Sequence, residues 1–252
     1  MPTKAQAFRA LHRGRESGDP LVLPGPWDAM SARAFADAGF PALATPSAGV
    51  AASLGHEDGA TPAKEMFAAV ARVARAVDIP VSADVEDGYG LPPKELVARI
   101  LQTGAVGCNL EDTDGATKVL KDPRRHADWL AEVCAEAGEE LFVNARVDTF
   151  LRGVSDPAEA ALRIRLYVEA GAGCVYPISV PSAQLPLLRE ATDAPINVFA
   201  SVASASDPSI AELGRLGATR ITFGPGLQRR TQAAVADIAR ELYEKGPGRA
   251  KL

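Results

Sequence analysis

The stretch PVSADVEDGYGLPPKELVARILQTGAVGCNLED, residues 80–112, reads as one complete strand–helix–strand unit. A β-rich apolar run ends in three acids, Asp84, Glu86 and Asp87. Pro92 and Pro93 then open a segment with helical periodicity, which suits the fixed φ of proline at a helix start. Gly104 stops that helix, and a second apolar run leads to Glu111 and Asp112. Two strands joined by a helix lie parallel, because the crossover carries the chain back to the same edge.

The same phrasing repeats outward in both directions. Strands are expected at 21–28, 41–48, 80–87, 107–112, 141–148, 173–179, 195–201 and 220–226. Helices are expected at 30–38, 62–76, 92–102, 122–137, 156–170, 182–191, 207–216 and 231–245. Phrases such as SDPAEA and SDPSIAEL supply caps, and ADAGF, AEAGE and RLGAT supply glycine stops. Eight alternating units predict an α/β protein, a single (β/α)8 TIM barrel over residues 1–252. A helix near 5–14 precedes the first strand and is expected to plug the barrel bottom. The competing fold, a doubly wound sheet, would want a G-x-G-x-x-G after the first strand, and none is present.

Composition narrows the partners. With 47% hydrophobic and 23% charged residues the chain is expected to be globular and soluble. A net charge of −5 without a basic stripe argues against nucleic acid. No apolar run is long enough for a membrane span, and the polar N-terminus lacks a secretory h-region. Cys108, Cys134 and Cys174 form no CxxC and no disulfide framework, which predicts a reduced, cytoplasmic protein.

In such a barrel the chemistry gathers at the C-terminal strand ends. There the sequence places Asp28, then Thr45-Pro46-Ser47-Ala48, then Asp84-Val85-Glu86-Asp87, then Glu111-Asp112. Arg146 and Asp148, Tyr176 and Ser179, Asn197 and Gly224-Pro225-Gly226 follow. Asp84 and Glu86 stand two apart, so on a strand they share a face. Packed acids repel and are costly to bury, and a divalent cation relieves both problems. A site of oxygens without His or Cys suits Mg2+ or Mn2+ rather than zinc. The bland alternative is a rim of salt bridges with Arg146 and Lys118. Arg146 offers a guanidinium fork for a substrate carboxylate, or a counter-ion for Glu111 or Asp84. Tyr176 reads equally as packing or as a substrate hydrogen bond. His12 and His126 read as structural, and His56 as a surface residue.

Four phrases in succession, PGPWDAMSARAFADAGFPALATPSAGVAASLG, PVSADVEDGYG, GAVGCNLED and NARVDTFLRG, resemble the isocitrate lyase/phosphoenolpyruvate mutase superfamily. The resemblance covers roughly residues 5–227. It implies the same barrel, with Asp84, Glu86 and Glu111 holding Mg2+. It further implies that Arg146 and the amides near Ser47, Ala48 and Gly49 bind substrate carboxylates. Asp58 would lie near the reacting group, with Arg146 and Glu111 also in catalytic roles. Asp84, Tyr176 and Asn197 complete the expected substrate contacts. Relatives suggest a homo-oligomer, a dimer or a tetramer.

The departures are informative. The lyase branch carries a K-[KR]-C-G-H loop after the fourth-strand acids, whereas this chain reads EDTDGATKVLKDP. Lys118 and Lys121 only partly imitate the gating loop of the phosphonomutase branch. Pro46 shifts the second-strand serine, and Ile178 stands near where lyases carry an acid. Gly115 suggests a mobile lid. The expectation is a Mg-dependent enzyme that cleaves a C–C bond of a small 2-oxo or 2-hydroxy acid through an enolate. Oxaloacetate-like decarboxylation or hydrolysis is the preferred form. P–C bond chemistry on a phosphonopyruvate-type substrate is the second reading. A non-catalytic 2-oxo acid receptor and a sugar-phosphate barrel are the third and fourth.

Overall fold

The structure is a computed structural model that describes residues 2–201 and 207–245. Helix α1 (Lys4–Leu11) precedes β1 (Leu21–Val22), α2 (Ala29–Asp37), β2 (Leu43–Ala44) and α3 (Ser47–Leu54). Then follow α4 (Ala63–Arg75), β3 (Val81–Asp84), α5 (Pro93–Thr103), β4 (Gly107–Glu111), α6 (Pro123–Ala137) and β5 (Phe142–Val147). The chain continues through α7 (Pro157–Glu169), β6 (Cys174–Pro177), α8 (Leu185–Glu190), β7 (Asn197–Phe199), α9 (Ile210–Arg215), β8 (Arg220–Thr222) and α10 (Gly226–Lys245).

All strand pairs are parallel, in two ladders, β2-β3-β4-β5-β6 and β1-β8-β7. Two seams join them. Val175 bridges to Ile196 between β6 and β7, and Ala44 N–H donates to Pro24 C=O between β2 and the end of β1. The strand order therefore runs once around a TIM-barrel-like closure.

Side-chain alternation assigns the two faces of the wall. Ala83, Val85, Cys108, Leu110, Val143, Ala145 and Val147 face outward into one core with Val70, Leu96, Ile100, Leu130, Val133 and Ile164 of the helices. The intervening residues point inward. At the N-terminal strand ends Phe8 is fully buried with Leu21, Leu23, Ala42, Phe142 and Cys174. Arg9 fastens α1 by donating to the carbonyls of Gly138 (2.6 Å) and Leu141 (2.9 Å). The N-terminal helix thus closes the barrel bottom, as the sequence led one to expect.

Several boundaries differ from the sequence expectation for local reasons. The strand expected at 21–28 is regular only over Leu21–Val22 and keeps single bonds at Leu23 and Pro24, because Pro24 and Pro26 have no N–H to donate. The strand expected at 41–48 ends at Ala44, and Pro46 caps an eight-residue helix that was not anticipated. Asp28 accepts from Ser31 N–H at 2.7 Å and caps α2 instead of serving as a strand-end acid. Ser209, not Asp207, caps α9 in a reciprocal box with Glu212. Among the described residues no helix is long and apolar enough to cross a membrane.

Candidate active site

A cavity of about 420 Å3 opens where the strands end. It is lined by five acids, Asp58, Asp84, Glu86, Asp87 and Glu111, and by three bases, Lys118, Arg146 and Arg152. Five minus three leaves a formal charge of −2 if every group is ionised.

Asp84 ends β3 and is buried, so its two oxygens must find donors. Oδ2 accepts from Ser47 Oγ (3.0 Å) and Ser47 N–H (3.4 Å), and Oδ1 accepts from Glu86 N–H (3.3 Å). Burial raises the Asp84 carboxyl above its usual range, against the opposing pull of Arg146.

Glu86 reaches the same space by a route the sequence did not reveal. The strand has already ended, so the two-apart argument does not apply to it. Its backbone sits at φ 54°, in the left-handed region, and its C=O accepts from Glu111 N–H at 2.9 Å. The turn carries the side chain to the cavity, where Oε1 is buried near the Tyr89 hydroxyl but without a well-formed hydrogen bond among the described residues. Burial and then repulsion from Asp84 push this carboxyl up to about 7.

Glu111 and Arg146 pair across β4 and β5, where their backbones are in register. Arg146 Nη1 donates to Glu111 Oε1 at 2.5 Å, and Nε donates to Asp148 Oδ1 at 2.6 Å. Burial pushes the Glu111 carboxyl up to about 8, Arg146 opposes this, and Asp84 adds to it. Tyr176, next to Arg146 on β6, lines the wall, and burial raises its phenol to about 12.

Ser47 and Ala48 line the cavity at the first turn of α3, and Asp58 lines it from the following loop. Gly49 and Asn197 are not among the lining residues. Asn197 is instead buried and exchanges hydrogen bonds with Thr222, donating at 3.1 Å and accepting at 3.3 Å. Thr222 is the side chain of that pair that faces the cavity.

The segment after β4 forms a hydrogen-bonded hairpin over the site. Thr113 bridges to Leu120, and Asp114 Oδ1 accepts from the N–H groups of Ala116 (3.1 Å) and Thr117 (2.7 Å). Asp87 holds its base by accepting from Gly115 N–H (3.0 Å) and pairing with Lys121 Nζ (3.3 Å). The tip carries Lys118 into the cavity at φ 59°. Arg152 donates to Thr113 Oγ1 at 3.1 Å from the 3-10 turn Phe150–Arg152. Arg152 and Thr113 were missed from sequence. Their only signal was that Arg152 falls inside the phrase NARVDTFLRG.

Among the described residues, no three His, Cys, Asp or Glu side chains form a ready-made metal cluster. One or two carboxylates are enough for Mg2+, which keeps several of its waters. A Glu86 Oε1 without a well-formed hydrogen bond, the all-oxygen donors and the surplus of buried negative charge fit such an ion.

The family model for phosphoenolpyruvate phosphomutase matches residues 8–243. An uncharacterized protein of Mycobacterium tuberculosis H37Rv is 34% identical over 94% of this chain and 89% of its own. A Burkholderia cenocepacia structure, assigned provisionally as a phosphonomutase, is 36% identical with a TM-score of 0.86, covering 94% of this chain and 99% of its own. The structure of a phosphonopyruvate hydrolase with oxalate and Mg2+ shares the fold at a TM-score of 0.86 and 21% identity, over 97% of this chain and 88% of its own.

Proposed function

The chain belongs to the phosphoenolpyruvate phosphomutase family, and from that premise we propose a divalent-metal-dependent lyase that generates the enolate of a small 2-oxo acid. The substrate is an oxaloacetate-like 2-oxo acid, and the enolate is released when a C–C bond at carbon 3 is cleaved. One observation carries this reading: Asp84, Glu86 and Glu111 line one cavity, and burial raises all three carboxyls.

Asp84 and Glu86 would hold Mg2+, or alternatively Mn2+, with Glu111 reached through water. When bound, the ion supplies Lewis-acid stabilisation of negative charge on the oxo oxygen. The chain's own residues do the remaining work. The amides of Ser47 and Ala48, at the positive end of α3, favour a carboxylate. Arg146 is oriented by Glu111 and Asp148, and its remaining N–H groups can meet the acid head of the substrate. Asp58 is assigned to proton movement at carbon 3. Leu151 and Ile178, with the hairpin above, limit access of water. A homo-oligomer belongs to the same proposal, since α10 turns Val235, Ile238 and Leu242 outward.

The test is deuterium exchange at carbon 3 of pyruvate in D2O, followed by NMR. Exchange with Mg2+ that disappears with EDTA and in Glu86→Ala supports the enolate enzyme. Oxalate binding without exchange would establish the non-catalytic receptor instead. Lys118 in the cavity favours one second reading, P–C bond chemistry. Pyruvate release from phosphonopyruvate, and not from oxaloacetate, would select it.

A further inference from the structure

The floor of the cavity holds a pair of amides. Asn109 on β4 and Asn144 on β5 are backbone partners in register, and both are buried. Asn144 Nδ2 donates to Asn109 Oδ1 at 2.7 Å. Asn109 stands in register with Asp84 on its other side, and it lines the cavity. Its oxygen is spent on Asn144, so the end of the amide left for the cavity is Nδ2. That nitrogen has no hydrogen bond among the described residues.

A bridge of two amides can run in either direction, and the surroundings decide which. Arg220 on β8 is fully buried, and its Nε, Nη1 and Nη2 have no partner among the described residues. Its guanidinium lies 5.9 Å from the centroid of the Phe8 ring, inside the barrel. Its charge bears on the thiol of Cys174, the register partner of Asn144. Asn144 Oδ1 is likewise buried without a donor among the described residues. A guanidinium only donates, and leaving it without an acceptor in the interior is costly. The orphan acceptor of Asn144 and the orphan donors of Arg220 answer each other, directly or through one buried water. Turned the other way, the pair would set the Asn144 NH2 against those donors and strand both. Arg220 therefore fixes the polarity of the bridge. Asn144 keeps its oxygen for Arg220 and its NH2 for Asn109, and Asn109 keeps its own NH2 for the cavity.

We propose that Asn109 contacts the substrate, donating from Nδ2 to an oxygen of the 2-oxo acid head, with Asn144 and Arg220 as its positioning residues. This rests on the enolate-site reading above and adds to it a neutral donor at the cavity floor. The donor is oriented before substrate arrives, so no reorganisation opposes charge that grows on that oxygen. An aspartate at this position would keep the shape and the bond from Asn144, but it would offer the substrate an acceptor instead of a donor. A leucine would keep only the volume.

Oxalate, a planar stand-in for the enolate of pyruvate, is titrated into the Mg2+-loaded protein by calorimetry. Asn109→Leu is expected to weaken oxalate about tenfold, the scale of one charge-assisted hydrogen bond. Asn109→Asp is expected to weaken it at least as much, although the bond from Asn144 survives. Asn144→Asp separates positioning from packing. Its carboxylate gives Arg220 the acid it lacks, so Tm holds or rises. The same carboxylate can only accept from Asn109, which turns the Asn109 oxygen to the cavity, and oxalate again weakens about tenfold.

Oxalate affinity within about twofold of wild type in both Asn109 variants would overturn the contact. An oxalate-bound crystal structure needs no variant, and Nδ2 farther than about 4 Å from every ligand oxygen would overturn it as well. In either case wild type still binds oxalate and the enolate reading stands. A lower Tm with unchanged oxalate affinity in Asn144→Asp would take Asn144 and Arg220 out of the arrangement. Failure of wild type to bind oxalate at all would remove both the contact and the enolate reading.

Discussion

Glu111 and Asp112 are neighbours in sequence, both acidic, one half-buried and one fully buried, each against an arginine, yet they belong to different machines. Glu111 points into the barrel and meets Arg146 at the cavity. Asp112 points the other way and is fully buried behind the wall. Its Oδ2 accepts from Arg163 Nη1 (3.0 Å) and Tyr167 Oη (2.8 Å), and its Oδ1 accepts from Asp148 N–H (2.8 Å). Both oxygens of Asp112 are therefore met by protein donors, Oδ2 twice and Oδ1 once. The inner cluster is different in kind. It gathers more carboxylates than cations and leaves Glu86 Oε1 without a well-formed hydrogen bond among the described residues. A closed network stabilises a fold, whereas an open one waits for a ligand. The two-residue period of a strand separates them within a single peptide step.

The comparison breaks most decisively at Asp112. Asp112→Ala takes from buried Arg163 the fully buried acid it pairs with, leaving it half-buried Glu159 (2.9 Å), the Lys121 carbonyl and the Tyr167 hydroxyl, and removes the anchor of the Asp148 backbone. The expected loss is about 3 kcal/mol, typical of breaking a buried pair. For a chain of this size that lowers Tm by roughly 6–12 °C. A thermal melt within about 2 °C of wild type would show the outer network to be dispensable. Glu111→Gln is expected to do the reverse. The amide oxygen still accepts from Arg146, and a carboxyl that burial had raised to about 8 is gone. Tm in EDTA stays level or rises, while Mg2+ affinity or turnover drops about 10–100-fold. Unchanged turnover on the best substrate would remove Glu111 from the site.

A smaller effect separates the clusters by pH. Glu86 and Glu111 are raised from 4.5 to about 7 and about 8, first by burial. A raised folded pKa means that the folded state takes the proton first. Their contribution is whole below about 4.5 and is lost as pH climbs through 7 and 8. The buried imidazoles have the opposite sign. Burial, followed by the charge of Arg220 for His12 and of Lys121 for His126, pushes both to about 3. Their contribution is present above 6.5 and is lost as pH falls towards 3. Between 6.5 and 8 only the acids act, so metal-free protein should gain a few degrees of Tm as pH is lowered from 8 to 6.5. Saturating Mg2+ flattens that slope, because the ion competes with the proton for the same oxygens. A metal-free Tm that rises with pH across this window contradicts the inner cluster.

The architecture was legible because it repeats. An apolar run followed by a helical segment recurs eight times, most of the helices stop at a glycine, and each unit is read by the same local chemistry. The site was legible where a residue sits on a regular strand. Asp84, Glu111, Arg146 and Tyr176 all reach the cavity. Legibility failed where backbone leaves the strand. Glu86 arrives through a left-handed turn, and Pro46 converts an expected strand end into the start of α3. It failed again where function depends on tertiary meeting. Thr113 and Arg152 are 39 residues apart, and no periodicity announces their contact. Gly115 suggested a lid here, but not its form, a hairpin closed by one Thr113–Leu120 bridge and by Asx-type bonds. Asn197 looked like a site residue by position alone, but its amide is spent on Thr222.

The subtlest way to sharpen the contrast is to remove one oxygen from the outer network. Tyr167 is fully buried on α7, and burial, with the Asp112 charge adding to it, raises its phenol above the usual range. Its hydroxyl gives its hydrogen to Asp112 Oδ2 at 2.8 Å and accepts from Arg163 Nη1 at 3.2 Å. Tyr167→Phe keeps the ring that stands edge-on to His126 at 5.2 Å and deletes only the hydroxyl. Asp112 retains Arg163 and the Asp148 N–H, so no charge is stranded. The expected cost is about 1 kcal/mol, the net worth of one hydrogen bond, or a Tm lower by roughly 2–4 °C. Turnover and Mg2+ affinity stay at wild-type values, since nothing at the cavity has moved. A kinetic defect in Tyr167→Phe with an unaltered melt would mean that Asp112 acts on the chemistry through Asp148 and Arg146, and that the two clusters are one.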